Sequence, residues 1–218
     1  MFVYLAFCAV TVGAAFVAHR LGRVWANVPW ARALVFGPFA LALVASVVGM
    51  ALGPRAFPVA VLPAAVASVC LTHVIACTRV PPLAGRDAAL PLRVRYALQR
   101  PRVYFGALIL VGAAAGLLPW AFARPIGLGD IAVGLLGVAL GRVPASHPWA
   151  RGLAVGFAIV GIADLLNALR LGVQVAVPAL VASQTPPMLL MLPFYVVPVL
   201  LAQHLLMLRR MNSREHLT

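Results

Sequence analysis

Four ionisable side chains fall inside long apolar stretches of the chain: Asp130, Asp164, His73 and His204. A charge at the centre of a bilayer costs about 2.5–3.5 kcal/mol on insertion scales, so residues of this kind mark pathways for ions, protons or polar solutes. Asp130 lies in Gly127-Leu128-Gly129-Asp130-Ile131, and Asp164 has Asn167 three positions on, on the same face of a helix. Two carboxylates, an amide and the imidazole of His204 are groups that can hold or pass a small polar solute or a proton. That set, Asp130, Asp164, Asn167 and His204, is the candidate site.

Depth follows from the 1.5 Å rise per helical residue. Asp130 is six residues from Arg124 and Asp164 six from Arg170, which predicts both carboxylates about 9 Å below the outer boundary. His73 and His204 count similarly from Arg79 and Arg209, about 8–9 Å above the cytoplasmic boundary. In a hydrocarbon core of about 30 Å, these two layers stand roughly 13 Å apart. Only water or Ser68, Thr72 and Tyr195 could bridge them. A plainer role is open to each Asp, which could cap a loop or pair with Arg124 or Arg170.

The third apolar stretch carries Cys70-x-x-His73-x-x-x-Cys77. The two cysteines are about 10.5 Å apart along a helix axis, too far to share an ion at Zn–S distances of about 2.3 Å. His73 with one cysteine, Cys77 in the favoured version, could join His204 in a metal site, or the two histidines could be axial ligands of a haem. Cysteine in a span more often serves as a small apolar filler. Nucleophile elbows, phosphate loops and zinc-protease pairs are missing, so enzymatic chemistry is the least favoured reading.

The elements that must position these residues are membrane helices. Hydrophobic residues make up 64% of the chain and charged residues 10%, which excludes an ordinary water-soluble surface. The net charge of +13 comes entirely from Arg, placed between apolar runs where it sets orientation; with no nucleic-acid-binding module, it does not point to RNA or DNA. Apolar runs near 2–18, 31–52, 57–78, 103–123, 125–141, 150–171 and 187–208 predict an all-α membrane protein, a bundle of seven transmembrane helices forming one domain over 1–218. With the N-terminus outside and the C-terminus cytoplasmic, fourteen of seventeen Arg face the cytoplasm and only Arg55, Arg124 and Arg170 face out. The first run precedes any Arg, which favours a retained span over a cleaved leader.

Two connections stand out. Residues 79–102 carry six Arg and one acid, Asp87, and read as a basic cytoplasmic loop against anionic headgroups. Residues 173–186 are apolar yet too short to span, as expected of an interfacial or re-entrant outer segment. Pro198 cannot donate to the carbonyl of Phe194 and should kink the last span. Glycines spaced by four, such as Gly112 with Gly116 and Gly137 with Gly141, suit close helix packing.

Residues 125–208 resemble a loose group of bacterial multi-span membrane proteins of uncharacterised function. The resemblance rests on Gly129-Asp130-Ile131 followed by Gly134-Leu135, on Asp164 and Asn167, and on Pro193-Phe194 and Val197-Pro198 ahead of His204. It implies that Asp130 and His204 belong to a shared pattern, and the expected location of such a chain is a bacterial inner membrane. It supplies no activity, substrate or cofactor. Three functions follow: binding or passage of a small solute or proton, haem or metal binding through His73 and His204, and scaffolding of membrane-protein partners or of a homo-oligomer.

Overall fold

The protein is represented by a computed structural model that describes residues 2–24, 31–53, 61–184 and 190–212. Arg55, Arg214, residues 185–186 of the outer segment and residues 187–189 of the last expected span lie outside the described residues. Every regular element among the described residues is helical: α1 (Phe2–Val24), α2 (Ala31–Leu52), α3 (Val61–Arg79), α4 (Pro81–Ala89), α5 (Leu92–Leu98), α6 (Pro101–Ala114), α7 (Trp120–Leu140), α8 (Ala150–Leu171), α9 (Val177–Ser183) and α10 (Val197–Asn212). Among the described residues, six helical runs are long and apolar enough to cross a membrane: Val3–Val24, Ala31–Leu52, Leu62–Arg79, Trp120–Leu140, Ala150–Ser183 and Leu192–Asn212. Their outward faces are apolar as well. Leu41, Val44, Leu71, Leu128, Leu135 and Ile159 are among the exposed side chains, as suits a lipid solvent.

The fourth expected span, 103–123, takes a different form. Gly116 adopts φ +73°, and with it the chain leaves α6 after only 14 residues, about 21 Å. Pro119 then supplies the extended residue before α7, which begins at Trp120 instead of 125. Pro125 is carried inside α7, so the Arg124-Pro125 pair that looked like a boundary is none.

The basic segment between α3 and α6 has helical structure of its own. Residues 79–102 fold largely into α4 and α5, and two of their six Arg, Arg95 and Arg102, are buried. Arg95 ion-pairs with Asp87 at 3.0 Å, and Arg210 of α10 donates to the Leu90 carbonyl, so this segment is pinned to the end of α10. α5 and α6 then run one after the other along α7. A Cβ on Gly137 would lie 3.0 Å from the Tyr96 carbonyl oxygen, and one on Gly106 would collide with the Gly127 carbonyl. Glycine is needed at Gly106 because the two backbones approach that closely.

Both prolines that follow a valine late in the chain distort the helix before them. Val177 N–H bonds the Gly172 carbonyl and Val197 N–H bonds the Leu192 carbonyl, closing π turns over Gly172–Ala176 and Leu192–Val196. Pro178 and Pro198 cannot donate to the preceding turn, and widening that turn accommodates the loss. The kink expected at Pro198 therefore takes the form of a π turn. Residues 173–183 continue helically from α8 through the first of these turns, not as a detached segment. The run Leu192–Asn212 is central, with Tyr195, Val199, Ala202 and Leu206 buried against neighbouring helices.

Candidate functional site

Arg102 is the second residue of α6, and its side chain is wholly covered. Its Nε donates to Asp130 Oδ1 of α7 at 2.7 Å, and its Nη2 donates to Asp164 Oδ2 of α8. The third nitrogen, Nη1, lies 3.5 Å from Nε2 of His204 on α10. One guanidinium thus joins residues from four helices, using the planar fork that suits Arg to several acceptors at once. Two glycines make room for the cluster. A Cβ on Gly129 would overlap the Asp164 carboxylate, and one on Gly161 would overlap the His204 ring.

Three of the four candidate residues meet here. The two separate layers do not survive. Asp130 is ten residues from either end of α7, about 15 Å, because α7 starts five residues earlier than expected. His204 is eight residues, about 12 Å, from the end of α10. Both therefore approach mid-bundle, where Arg102 contacts each of them directly. Asn167 stays outside the cluster and accepts a bond from Arg170 at 2.9 Å, so it is Asn167, not Asp164, that takes the Arg170 partner.

Arg102 is the residue that sequence reasoning missed. Its position between basic loop and apolar run assigned it to the cytoplasmic boundary. The signal that could have found it is electrostatic: two carboxylates buried in lipid need a cation, and Arg102, just after Pro101, heads an otherwise apolar helix.

The histidine pair does not form a common site. Gln203 and His204 are adjacent on α10 and therefore face different neighbours. Gln203 Nε2 lies 3.1 Å from His73 Nε2, whereas His204 Nε2 faces the Arg102 guanidinium. Each histidine turns that nitrogen to a hydrogen-bond donor instead of to an iron or other ion, so the arrangement does not fit a haem held between His73 and His204. Among the described residues no three His, Cys, Asp or Glu side chains stand together as metal ligands, and Cys77 is a buried free thiol. Among the described residues His204 Nδ1 is buried without a hydrogen-bond partner, one polar atom in the cluster still to be satisfied.

Above the cluster lies a cavity of about 120 Å³, walled by α6, α7, the run from α8 through α9, and the start of the α10 run. Phe105, Phe122, Ile126, Leu165 and Val196 are typical of its lining, and both π turns contribute to it. Among the described lining residues only Arg102 and Asp130 carry charge.

A family model described as a domain of unknown function, DUF8737, matches residues 56–212. The chain belongs to the DUF8737 family. The match takes in the whole 125–208 stretch and reaches back through the helices that hold His73 and Arg102, so all four cluster residues fall within the family domain. No curated protein and no solved structure matches the chain.

Proposed function

We propose that the Arg102, Asp130, Asp164 and His204 cluster is a proton- or solute-binding centre in a bundle that crosses the membrane seven times. The broken run from Leu92 to Ala114 serves as the crossing between α3 and α7, which leaves the N-terminus outside and the C-terminus in the cytoplasm of a bacterial inner membrane. Its antiparallel packing along α7 through Gly106, Gly127 and Gly137 supports this count. The exposed Arg79, Arg93 and Arg100 then face anionic headgroups, each contributing about 1 kcal/mol to binding there.

The observation that carries the reading is one buried guanidinium shared by two carboxylates at the base of an apolar cavity. A lone Arg cannot neutralise both acids, and an uncompensated charge in a low-dielectric interior is costly. A proton or a cationic solute resolves that charge, and its arrival and departure constitute the function. The test uses proteoliposomes with an internal pH dye and an imposed potassium diffusion potential. Asp130→Asn and Asp164→Asn should each slow proton entry roughly tenfold or more, the factor equivalent to about 1.4 kcal/mol. Rates equal to wild type in both variants overturn the reading.

A further inference from the structure

The charge cluster and the cavity above it together specify a class of ligand. With both carboxylates ionised the cluster carries one surplus negative charge, since Arg102 supplies the single cation and His204 presents a ring nitrogen to it. Three charged or titratable side chains on the neighbouring elements are engaged elsewhere, while Arg124 of α7 is exposed and the buried Tyr195 hydroxyl carries no charge to offset the surplus. His73 of α3 meets Gln203, Arg95 of α5 pairs with Asp87, and Arg170 of α8 bonds Asn167 and Gln174. Of the two charged residues lining the cavity, the Arg102 side chain is fully covered while that of Asp130 keeps 13% of its surface open. The carboxylate, not the guanidinium, is what the cavity offers to a ligand.

Resting on the reading of the cluster as a proton-binding centre, we infer that the cavity takes an apolar molecule bearing one positive charge, a lipophilic amine, whose ammonium group sits against Asp130. Apolar walls receive the hydrocarbon body, and the surplus carboxylate receives the cation. A proton and the amine compete for the same negative charge. When the ammonium binds to the protonated cluster, the carboxyl O–H breaks and its proton leaves to water, so the charge of the site is unchanged. The cluster is thereby suited to exchanging protons for lipophilic cations.

Three probes sharing one compact hydrocarbon cage test this: 1-adamantanamine, 1-adamantanol and 1-adamantanecarboxylate, each titrated into the purified full chain in mild detergent. The amine should bind about tenfold or more tighter than the alcohol, with the carboxylate weakest. Its affinity should rise with pH, by at most about tenfold per unit, as the competing proton is removed, while the alcohol shows no such rise. Asp130→Asn should abolish the preference for amine over alcohol, and Ala168→Leu, which narrows the cavity, should weaken both ligands alike. If Asp130→Asn fails to fold, the pH series on the wild-type chain decides alone.

Equal binding of amine and alcohol would show a cavity that merely takes lipid tails. Preference for the carboxylate would make Arg102 the recognising group. Either result overturns the inference, as does the failure of all three probes to bind. Any of these results alongside proton entry that still depends on Asp130 removes only the ligand class; entry indifferent to both Asp130→Asn and Asp164→Asn removes the proton-binding centre itself.

Discussion

Among the described residues two arginines are buried, and their surroundings differ in a way that separates function from scaffolding. Arg95 has one carboxylate partner, Asp87, whose backbone carbonyl it also meets, and Arg210 bonds the Leu90 carbonyl close by. That region holds surplus positive charge next to the last turns of α10, where the Asp87 side chain keeps 11% of its surface open. Arg102 has two carboxylates and a histidine, leaves a surplus negative charge when both carboxylates are ionised, and lies level with the middle of α7. A charge imbalance at the membrane boundary is relieved by solvent, but one at mid-bundle must be relieved by something that binds.

The contrast is broken most severely by removing the central arginine. Arg102→Met leaves two facing carboxylates without a cation and should cost about 3–5 kcal/mol, the usual penalty for breaking a buried pair from one side. Thermal unfolding in detergent measures this, and adding Asp130→Asn and Asp164→Asn to the same chain should restore most of the loss. If Arg102→Met alone unfolds like wild type, the carboxylates are solvated and the contrast fails. Gly106→Ala comes next, at about 3 kcal/mol, because the new methyl meets the Gly127 backbone carbonyl and no rotamer change can move it. Gly152→Ala, with open space around it, is the matched control.

These two positions also show how far the sequence was legible. Helical membrane character, the outlines of most long helices, and Asp130, Asp164 and His204 as residues of interest could all be read from hydropathy and the scarcity of charge. The seam between α6 and α7 was not legible, since Arg124-Pro125 carries a stronger boundary signal than Gly116 and Pro119. That misplacement set Asp130 too shallow and produced two layers where there is one cluster. Arg102 was hidden for a related reason: counting arginines for orientation treats each as a surface charge, and one that turns inward contributes equally to the count. The four-residue rule caught only part of the close packing: Gly137 meets the Tyr96 carbonyl, but Gly106, Gly127 and Gly134 pack across two helices without that spacing, and Gly116 faces open space.

A smaller effect is expected at the boundary arginine. Arg95→Met strands the largely buried Asp87, whose side chain keeps 11% of its surface open, and should cost about 2 kcal/mol by thermal unfolding. Replacing both partners, Asp87→Leu with Arg95→Met, should fall within about 1 kcal/mol of wild type, since a matched apolar pair avoids the desolvation cost of two charges. Proton entry should persist in this double variant. Its loss would mean that the boundary cluster belongs to the conduction path and that the two arginines share one role.

The smallest effect sharpens the edge of the site. Asn167 shares a helix face with Asp164, yet its amide oxygen is held by Arg170, one turn farther from the cluster. Exposed polar pairs of this kind contribute little, so Asn167→Ala should change unfolding by less than about 0.5 kcal/mol and leave proton entry at the wild-type rate. A clear slowing would place Asn167 on the route between the cavity and the outer face. Unchanged flux would confine the centre to side chains that touch Arg102, and the boundary between binding group and bystander would then fall within a single helical turn of α8.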